Sequence, residues 1–126
     1  MSIVGIGTDI IEIKRIKNSI SKFKNKLAKK ILSKYELKKY LISKNYIKFL
    51  AKRFVAKEAL VKALGTGFRN GLYFNNLEIY NDYLGKPNIH FVNKGVFFTK
   101  NIGIKKIHLS ISDEVKYAHA IVIIEN

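Results

Sequence analysis

The strongest constraint on the fold is a long helical pattern in the middle of the chain, over residues Tyr46–Leu64. Its apolar residues return at steps suited to one buried helix face: Leu50, Phe54, Ala59, Ala63 and Leu64. Asn45 stands before the pattern as the expected N-cap, and Gly65 follows it, where helices commonly end in a left-handed residue. The pattern therefore predicts a helix over these residues.

The residues before this helix predict one strand and two further helices. Residues 3–13 are rich in Ile and Val and carry Asp9 within an apolar run, which predicts a buried strand with one acid at its end. Residues 14–30 are crowded with lysine, and their apolar residues recur at helical spacing, which predicts an amphipathic helix with a basic outer face. Ser33 with Glu36 is a capping-box pattern, so another helix is expected to begin there.

The residues after it predict a loop, two hairpins and a short helix. The loop is the glycine-containing segment 66–71, and the short helix covers residues 94–101. The hairpins pair four β-rich segments: 77–80 with 89–92, and 106–112 with 116–125. Helices and strands do not alternate regularly, so an α+β fold is predicted. At 126 residues, a single domain over residues 1–126 is expected.

The chain contains no cysteine. Disulfides and thiolate metal sites are therefore excluded, and a bound metal would need carboxylate, imidazole or water ligands, which favours a hard cation. The N-terminal segment MSIVGIGTDIIEI is too short, and too interrupted by Gly and Asp, for a signal peptide or a membrane span. These features favour a protein of the cytoplasm.

The net charge of +15 would attract polyanions such as nucleic acid, anionic lipid, a phosphorylated cofactor or an acidic protein. Sign alone does not choose among them, and abundant Lys, Ile and Asn together are also typical of a biased base composition. Against that background, each arginine is a candidate for a bidentate contact with phosphate or carboxylate: Arg15, Arg53 and Arg69.

Glu58 and Lys62 stand four residues apart on the predicted helix and therefore share one face. Alone, such a pair is typical of a solvated ion pair worth about 0.2 to 0.5 kcal/mol. Here Arg53, Lys57 and Lys62 precede a Gly-Thr-Gly loop (residues 65–67), so cations and unhindered backbone amides are offered to a phosphate. The loop is not a Walker A sequence, and a simple glycine C-cap is the competing explanation.

Asp9 also has a structural and a functional interpretation. Burying a carboxylate is costly unless a metal or hydrogen-bond donors compensate it. Asp9 either caps the segment that starts near Glu12 or holds a cation. If Asp9 meets Glu58 in space, the two carboxylates, together with water and substrate phosphates, would make an octahedral oxygen site suited to Mg²⁺.

The predicted strand 106–112 has one apolar and one polar face. Ile107, Leu109 and Ile111 alternate with the polar residues His108, Ser110 and Ser112. His108 is thus either a phosphate or proton-transfer group or simply a satisfied polar residue. His90 and His119 lack this context and are assigned no role.

Taken together, the motifs of the chain resemble, in order, those of the bacterial holo-(acyl-carrier-protein) synthases. The matching segments are GIGTDI (residues 5–10) followed by Arg15-Ile16, RFVAKEALVKA (53–63) with GTG (65–67), GKP (85–87), and HLSIS (108–112) with Tyr117-Ala118. The match covers nearly the whole chain at compatible spacing. The Lys-Glu-Ala block with its trailing Gly-Thr-Gly is its most specific part.

The resemblance implies a phosphopantetheinyl transferase α+β fold, with a small mixed sheet packed with helices, usually assembled as a homotrimer with active sites between subunits. It implies that Asp9 and Glu58 are magnesium ligands and that Lys62 is catalytic and contacts phosphate. The implied substrate-binding set also contains Arg15, facing the acidic carrier, Arg53 and His108 at the coenzyme A pocket, and the loop residues Gly65, Thr66 and Gly67. Two positions depart from the pattern: Asp113 replaces a second histidine that the family often has, and nothing is transferred to Arg69.

The implied reaction moves the 4′-phosphopantetheine group from coenzyme A to a serine of apo acyl carrier protein, in support of fatty acid biosynthesis. The serine proton would go either to Glu58 through a water or to a hydroxide on the metal. The expected partners are coenzyme A, an acidic acyl carrier protein and further copies of the chain, with no nucleic acid and no membrane. The alternatives are a small basic nucleic-acid-binding protein, although no RNP-like or recognition-helix signature is present, and a non-catalytic polyanion-binding scaffold.

Overall fold

A computed structural model of the chain describes residues 1–69 and 71–126. The strands are β1 (Ile3–Glu12), β2 (Leu77–Asn81), β3 (Pro87–Phe91), β4 (Lys106–Asp113) and β5 (Tyr117–Glu125). The α-helices are α1 (Ile13–Phe23), α2 (Lys26–Ile31), α3 (Lys34–Ile42), α4 (Tyr46–Leu64) and α5 (Val96–Ile102), and two 3₁₀ turns cover Phe74–Asn76 and Asn93–Gly95. Asn70, within the predicted loop 66–71, lies outside the described residues.

The strands form two small antiparallel sheets. One has the order β1-β5-β4, and the other pairs β2 with β3. Both predicted hairpins are therefore present, and the α+β class with a sheet packed with helices is confirmed. All described strand pairs are antiparallel, so the expectation of a mixed sheet is wrong: the strands form two antiparallel sheets.

Helix α4 is the centre of the core and packs on one face of the three-stranded sheet. Its buried apolar residues include Leu50, Val55 and Leu60, and the helix contacts β5, whose inward side chains alternate along the strand. Because a strand's side chains alternate between its two faces, every second residue of β1 also points at α4.

Two of these inward residues of β1 are glycines, and they set how closely the strand approaches the helix. A Cβ atom at Gly5 would overlap the carbonyl oxygen of Ala63, and one at Gly7 would overlap that of Ala59. Only glycine permits this contact. The next inward residue is Asp9, which is thereby carried against the same helix.

The long amphipathic helix predicted over residues 14–30 is wrong in one respect, because it is two helices. The chain turns at Lys24, which has a positive φ of 54°, and α2 starts afresh after Asn25. The turn lets α2 fold back so that Ala28 and Ile31 are fully buried, while Phe23, at the end of α1, remains about half exposed. Burial of apolar surface thus outweighs continuation of the helix.

The predicted helix boundaries in the middle of the chain are confirmed. Ser33 and Glu36 form both hydrogen bonds of the capping box at the start of α3. The Asn45 side chain accepts a hydrogen bond from the Lys48 amide at the start of α4. None of the helices within the described part of the chain is both long and apolar enough to cross a membrane.

Candidate active site

Asp9, Glu58 and Lys62 meet where β1 runs past the second half of α4. The Nζ atom of Lys62 donates to Oδ1 of Asp9 at 3.0 Å and to the carbonyl oxygen of Thr8 at 3.0 Å. Glu58 stands one turn before Lys62 on the same helix face. The Asp9 carboxylate therefore contacts α4 and does not cap α1, whose N-cap is Glu12.

The Glu58 carboxyl group titrates above its usual range. Burial raises its pKa most, the negative charge of Asp9 raises it further, and the ammonium of Lys62 opposes both. The Lys62 side chain is 56% exposed, against 16% for Asp9, so Lys62 is free to change partners when a ligand arrives. A carboxyl group with a raised pKa beside an exposed cation is typical of functional sites.

The donor atoms of this group fit a hard divalent cation. Asp9 and Glu58 offer carboxylate oxygens, which are the ligands that Mg²⁺ prefers. Within residues 1–69 and 71–126 there is no group of three or more His, Cys, Asp or Glu side chains that could hold a metal ion. A cation here would therefore take two ligands from the protein and the others from water or substrate phosphates, a usual arrangement for Mg²⁺.

The loop after α4 begins as a helix cap. Gly65 has a φ of 76°, and its amide donates to the carbonyl oxygens of Val61 and Lys62 at 3.2 and 3.1 Å, so the predicted C-cap is confirmed. Gly67 also has a positive φ, 72°, and a Cβ at either glycine would have no neighbour within 4 Å. The loop backbone around Thr66 is thus open beside Lys62, so the capping and phosphate-binding interpretations are compatible.

Arg53 lies on another side of α4, at the wall of a cavity of about 570 Å³. Its guanidinium is buried, and its Cζ atom lies 4.6 Å from the centroid of the Phe49 ring. Burial lowers the pKa of Arg53, although the carboxylate of Glu36 opposes that shift. Lys48 and Lys52 line the same cavity. Three cations beside an aromatic ring suit a phosphorylated ligand that also carries an aromatic group.

Lys57 is not available to a phosphate, so that part of the sequence prediction is wrong. Its side chain is fully buried, and its Nζ atom donates to Oε1 of Glu36 at 2.6 Å and to the carbonyl oxygens of Ile31 and Phe74 at 2.6 and 3.1 Å. The sequence shows Glu36 only as part of a capping box. The contact of Glu36 with Lys57 joins residues 21 positions apart, so no local sequence pattern predicts it.

The family of the chain follows from its similarity to known proteins. Residues 5–122 match the model of the 4′-phosphopantetheinyl transferase superfamily. A holo-(acyl-carrier-protein) synthase of Buchnera aphidicola subsp. Schizaphis graminum is 57% identical over 125 residues, which cover 99% of each chain. The chain belongs to the holo-(acyl-carrier-protein) synthases.

Solved holo-(acyl-carrier-protein) synthases have the same fold. The crystal structure of the one from Neisseria meningitidis has a TM-score of 0.95 and 40% identity, covering 99% of this chain and 100% of that one. The structure from Bacillus anthracis, described as a complex with CoA (3′,5′-ADP), has a TM-score of 0.78 and 35% identity, covering 97% and 96%.

The resemblance to holo-(acyl-carrier-protein) synthases assigns His108 to the coenzyme A pocket, and in this chain His108 lies on the sheet face away from α4. Its Nε2 atom is 2.6 Å from Oε2 of Glu125 on the neighbouring strand. Asp9 points to the opposite face, so a single chain does not bring His108 to the Asp9–Glu58–Lys62 group. The other histidines also have polar contacts: His90 with Glu78 at 2.8 Å, and His119 with Thr8 at 2.7 Å.

Two further positions of the holo-(acyl-carrier-protein) synthase pattern lie around this site. Arg15 is exposed in the first turn of α1, directly after the strand that carries Asp9. Asp113 lies 3.2 Å from Nζ of Lys48 and 3.6 Å from Nζ of Lys52. The hydrogen bond from Lys48 and the nearby charges hold the pKa of Asp113 below its usual value. Asp113 is therefore ionised near neutral pH and cannot donate a proton as a histidine would.

Proposed function

We propose that this protein transfers the 4′-phosphopantetheine group of coenzyme A to a serine of an apo acyl carrier protein, in a Mg²⁺-dependent reaction that releases adenosine 3′,5′-bisphosphate. The observation that carries the proposal is the meeting of Asp9, Glu58 and Lys62 beside the open loop at Gly65 and Gly67. Two carboxylates, one exposed ammonium and free backbone amides suit a pyrophosphate, which coenzyme A contains. The names of the relatives, and the CoA in one solved structure, also support it.

In this proposal coenzyme A lies along α4. Its pyrophosphate is at Lys62 and the loop, and its nucleotide end is in the cavity lined by Lys48, Lys52 and Arg53. Arg53 precedes Lys62 by nine residues, or about 13.5 Å of helix. A nucleotide joined to a pyrophosphate spans such a distance. The volume of the cavity, about 570 Å³, is within the range of known ligand pockets.

Asp9, Glu58 and Lys62 each have a separate role in the proposed transfer. Mg²⁺ held by Asp9 and Glu58 would neutralise the charge of the pyrophosphate. The serine oxygen forms a bond to the phosphorus that bears the pantetheine arm, while the bond from that phosphorus to the oxygen of the adenosine phosphate breaks. Lys62 stabilises the charge that grows on the departing oxygen. Glu58 takes the serine proton through a water.

We further propose that the working form is a homotrimer with active sites between subunits. The outer face of the β1-β5-β4 sheet exposes Ile6 and Ile10, at 64% and 62%, and has Ile121 and Ile123 beside them. A contiguous apolar face of this kind favours an interface. Burial of this face in a trimer would also bring His108 of one subunit near a neighbour's site. Light scattering should then give the mass of three chains, and a monomer at assay concentration contradicts this part.

The basic surface of α1 suits the second substrate. Arg15 would contact a carboxylate of the acidic carrier, and the surrounding lysines would steer the carrier towards the site. A carrier that receives its arm here would serve fatty acid biosynthesis in the cytoplasm.

The test is direct. The protein is incubated with coenzyme A, Mg²⁺ and an apo carrier protein, and the intact mass of the carrier is measured; a gain of one phosphopantetheine group is expected. Glu58→Ala in the same reaction should give no gain, which excludes transfer by a contaminant. Absence of transfer by the wild-type protein to any of several apo carriers, together with steeply salt-dependent binding to nucleic acid, would favour the rival interpretation.

A further inference from the structure

The strongest feature outside the reaction site is a buried ion pair on the far side of α4. Lys57 and Glu36 are both fully buried, and all three donors of the Lys57 ammonium are used: by Glu36 Oε1 and by the carbonyl oxygens of Ile31 and Phe74. These contacts join α4 to the end of α2, the start of α3 and the turn before β2. We call this set of contacts the buried hub.

Both oxygen atoms of the Glu36 carboxylate also accept hydrogen bonds within the buried hub. Oε1 accepts from the Ser33 amide at 2.9 Å as well as from Lys57, and Oε2 accepts from the Ile79 amide at 3.0 Å. The guanidinium of Arg53 lies 3.5 Å from Oε2. One carboxylate therefore ties α3, α4 and β2 together.

Such a pair is an inefficient way to stabilise a core. Removing two charges from water costs about as much as their attraction returns, and well-packed apolar residues are often equally stable. Directional hydrogen bonds, unlike apolar contacts, fix an orientation. The hub is therefore better explained by the geometry that it imposes on α4 than by net stability.

On the opposite side of α4, the packing on β5 is joined by a contact with β1 that adds little to fix the rotation of the helix. There the helix meets β1 through Gly5 and Gly7 against Ala59 and Ala63. This contact sets the distance between strand and helix, but it has no large interlocking side chains to stop the helix from rotating. Helix side chains reach about 5 to 6 Å from the axis, so a rotation of about 10° would move the Glu58 carboxylate by about 1 Å.

We propose that Lys57, held by Glu36, is a positioning residue for the transfer reaction: it fixes the rotation of α4 and thereby the placement of Glu58 and Lys62 against Asp9. This inference rests on the proposed function, because its effect is read in that reaction. A misplacement of about 1 Å at a reacting group can cost on the order of 10²-fold in rate. The hub acts through Glu58 and Lys62 and touches no substrate itself.

The experiment compares Lys57→Met/Glu36→Gln with Ile124→Val. The double variant removes both charges of the pair together, and the only buried charge left beside it is the Arg53 guanidinium. The side-chain amide of the Glu36→Gln change keeps an oxygen that can accept from the Ser33 amide. The control removes one methyl group from a fully buried side chain on β5, which disturbs the core without touching the hub. For each protein we measure the melting temperature, kcat, the KM for coenzyme A, and Mn²⁺ binding in the presence of coenzyme A by electron paramagnetic resonance.

The double variant should lose about tenfold or more in kcat and should bind Mn²⁺ more weakly. The KM for coenzyme A is recorded separately, because Glu36 also contacts Arg53 at the cavity. The control should keep the wild-type kcat and Mn²⁺ affinity at a similar melting temperature. A folded double variant with the kcat of the control overturns the proposal. If the double variant does not fold, Lys57→Gln replaces it: its amide can still donate to Glu36, but two N–H donors cannot make all three hydrogen bonds of Lys57, so α4 should be held less firmly. A kcat within twofold of wild type for this variant likewise overturns the proposal.

These outcomes are separate from failure of the proposed function. If the wild-type protein transfers no phosphopantetheine, the proposed function fails. If the wild-type protein and both variants transfer it at similar rates, only the positioning role of Lys57 fails.

Discussion

Two lysine–carboxylate pairs on α4 have similar geometry and opposite surroundings. Lys62 lies 3.0 Å from Asp9, with side chains 56% and 16% exposed, whereas Lys57 lies 2.6 Å from Glu36, with neither side chain exposed. An exposed pair contributes little stability and exchanges partners easily. Breaking an enclosed pair leaves a buried charge without compensation. Chemically equivalent pairs can thus serve a ligand in one place and the fold in another, with solvent access deciding which.

The largest expected effect is a loss of transfer activity, and it concerns the carboxylates around the exposed Lys62–Asp9 pair. Asp9→Ala and Glu58→Ala should each reduce transfer to background, because a metal site with two protein ligands cannot keep its geometry with one removed. Circular dichroism should show an intact fold in both, since neither residue belongs to the buried core. The mass assay on the carrier measures the loss. Transfer near the wild-type rate by either variant contradicts the assignment of the metal site.

Of the two pairs, the enclosed Lys57–Glu36 pair should contribute more to the free energy of unfolding. Lys57→Met leaves the buried Glu36 carboxylate with the Arg53 guanidinium as its one remaining cation within the described residues, and should lower the free energy of unfolding by about 3 kcal/mol. Lys62→Met is the matched control on the same helix, and it should change that free energy by less than about 1 kcal/mol, because its pair is largely exposed. Urea denaturation followed by circular dichroism measures both. Equal losses would mean that the difference in burial between the two pairs has no energetic consequence.

The exposed lysine should matter for rate more than for binding. Lys62→Ala should lower kcat by about 10²-fold, because stabilisation of charge that develops in the transition state appears in the rate. The KM for coenzyme A should change only a few-fold. Steady-state kinetics with varied coenzyme A separates the two parameters. A rise in KM at constant kcat would instead make Lys62 a binding residue.

The smallest expected effect is a gain in stability at the site. Burial and the charge of Asp9 raise the pKa of Glu58, so its ionised form costs the folded state free energy. Glu58→Gln should therefore raise the melting temperature of the metal-free protein at neutral pH, while abolishing transfer. The gain should be complete above the folded-state pKa and disappear as the pH falls towards the unfolded-state value. Glu114→Gln, at an exposed position, is the control and should show no such gain.

Local patterns in the sequence were sufficient for the secondary structure around the site. The start of α3 at Ser33 and Glu36, and the ends of α4 at Asn45 and Gly65, follow from hydrogen bonds between near neighbours. The turn at Lys24 could not be predicted this way, because lysine has no preference for a positive φ. That turn depends on burial of residues in α2, which is decided by tertiary packing.

The site was predictable as a set of residues but not as an arrangement. Motif resemblance and helical spacing selected Asp9, Glu58 and Lys62, and the fold brings them together. The residue pattern alone could not exclude Lys57 from the phosphate-binding cations, since Lys57 and Lys62 are both lysines on one helix and only Lys57 meets Glu36. The position of His108 relative to Asp9, Glu58 and Lys62 could not be predicted either. The strand pattern shows that His108 faces away from Ile107, but it does not show which face of the sheet carries the candidate site.

The glycine contact between β1 and α4 makes the distance between Asp9 and the helix a property of the main chain. Side chains elsewhere in the core can be exchanged over evolutionary time without altering it, because none lies between the strand and the helix at Gly5 and Gly7. Only the gain of a Cβ atom at those two positions would push the strand away. A change in the composition of the other residues, even to a lysine-rich chain with a net charge of +15, can thus leave the spacing of Asp9 and Glu58 unaltered.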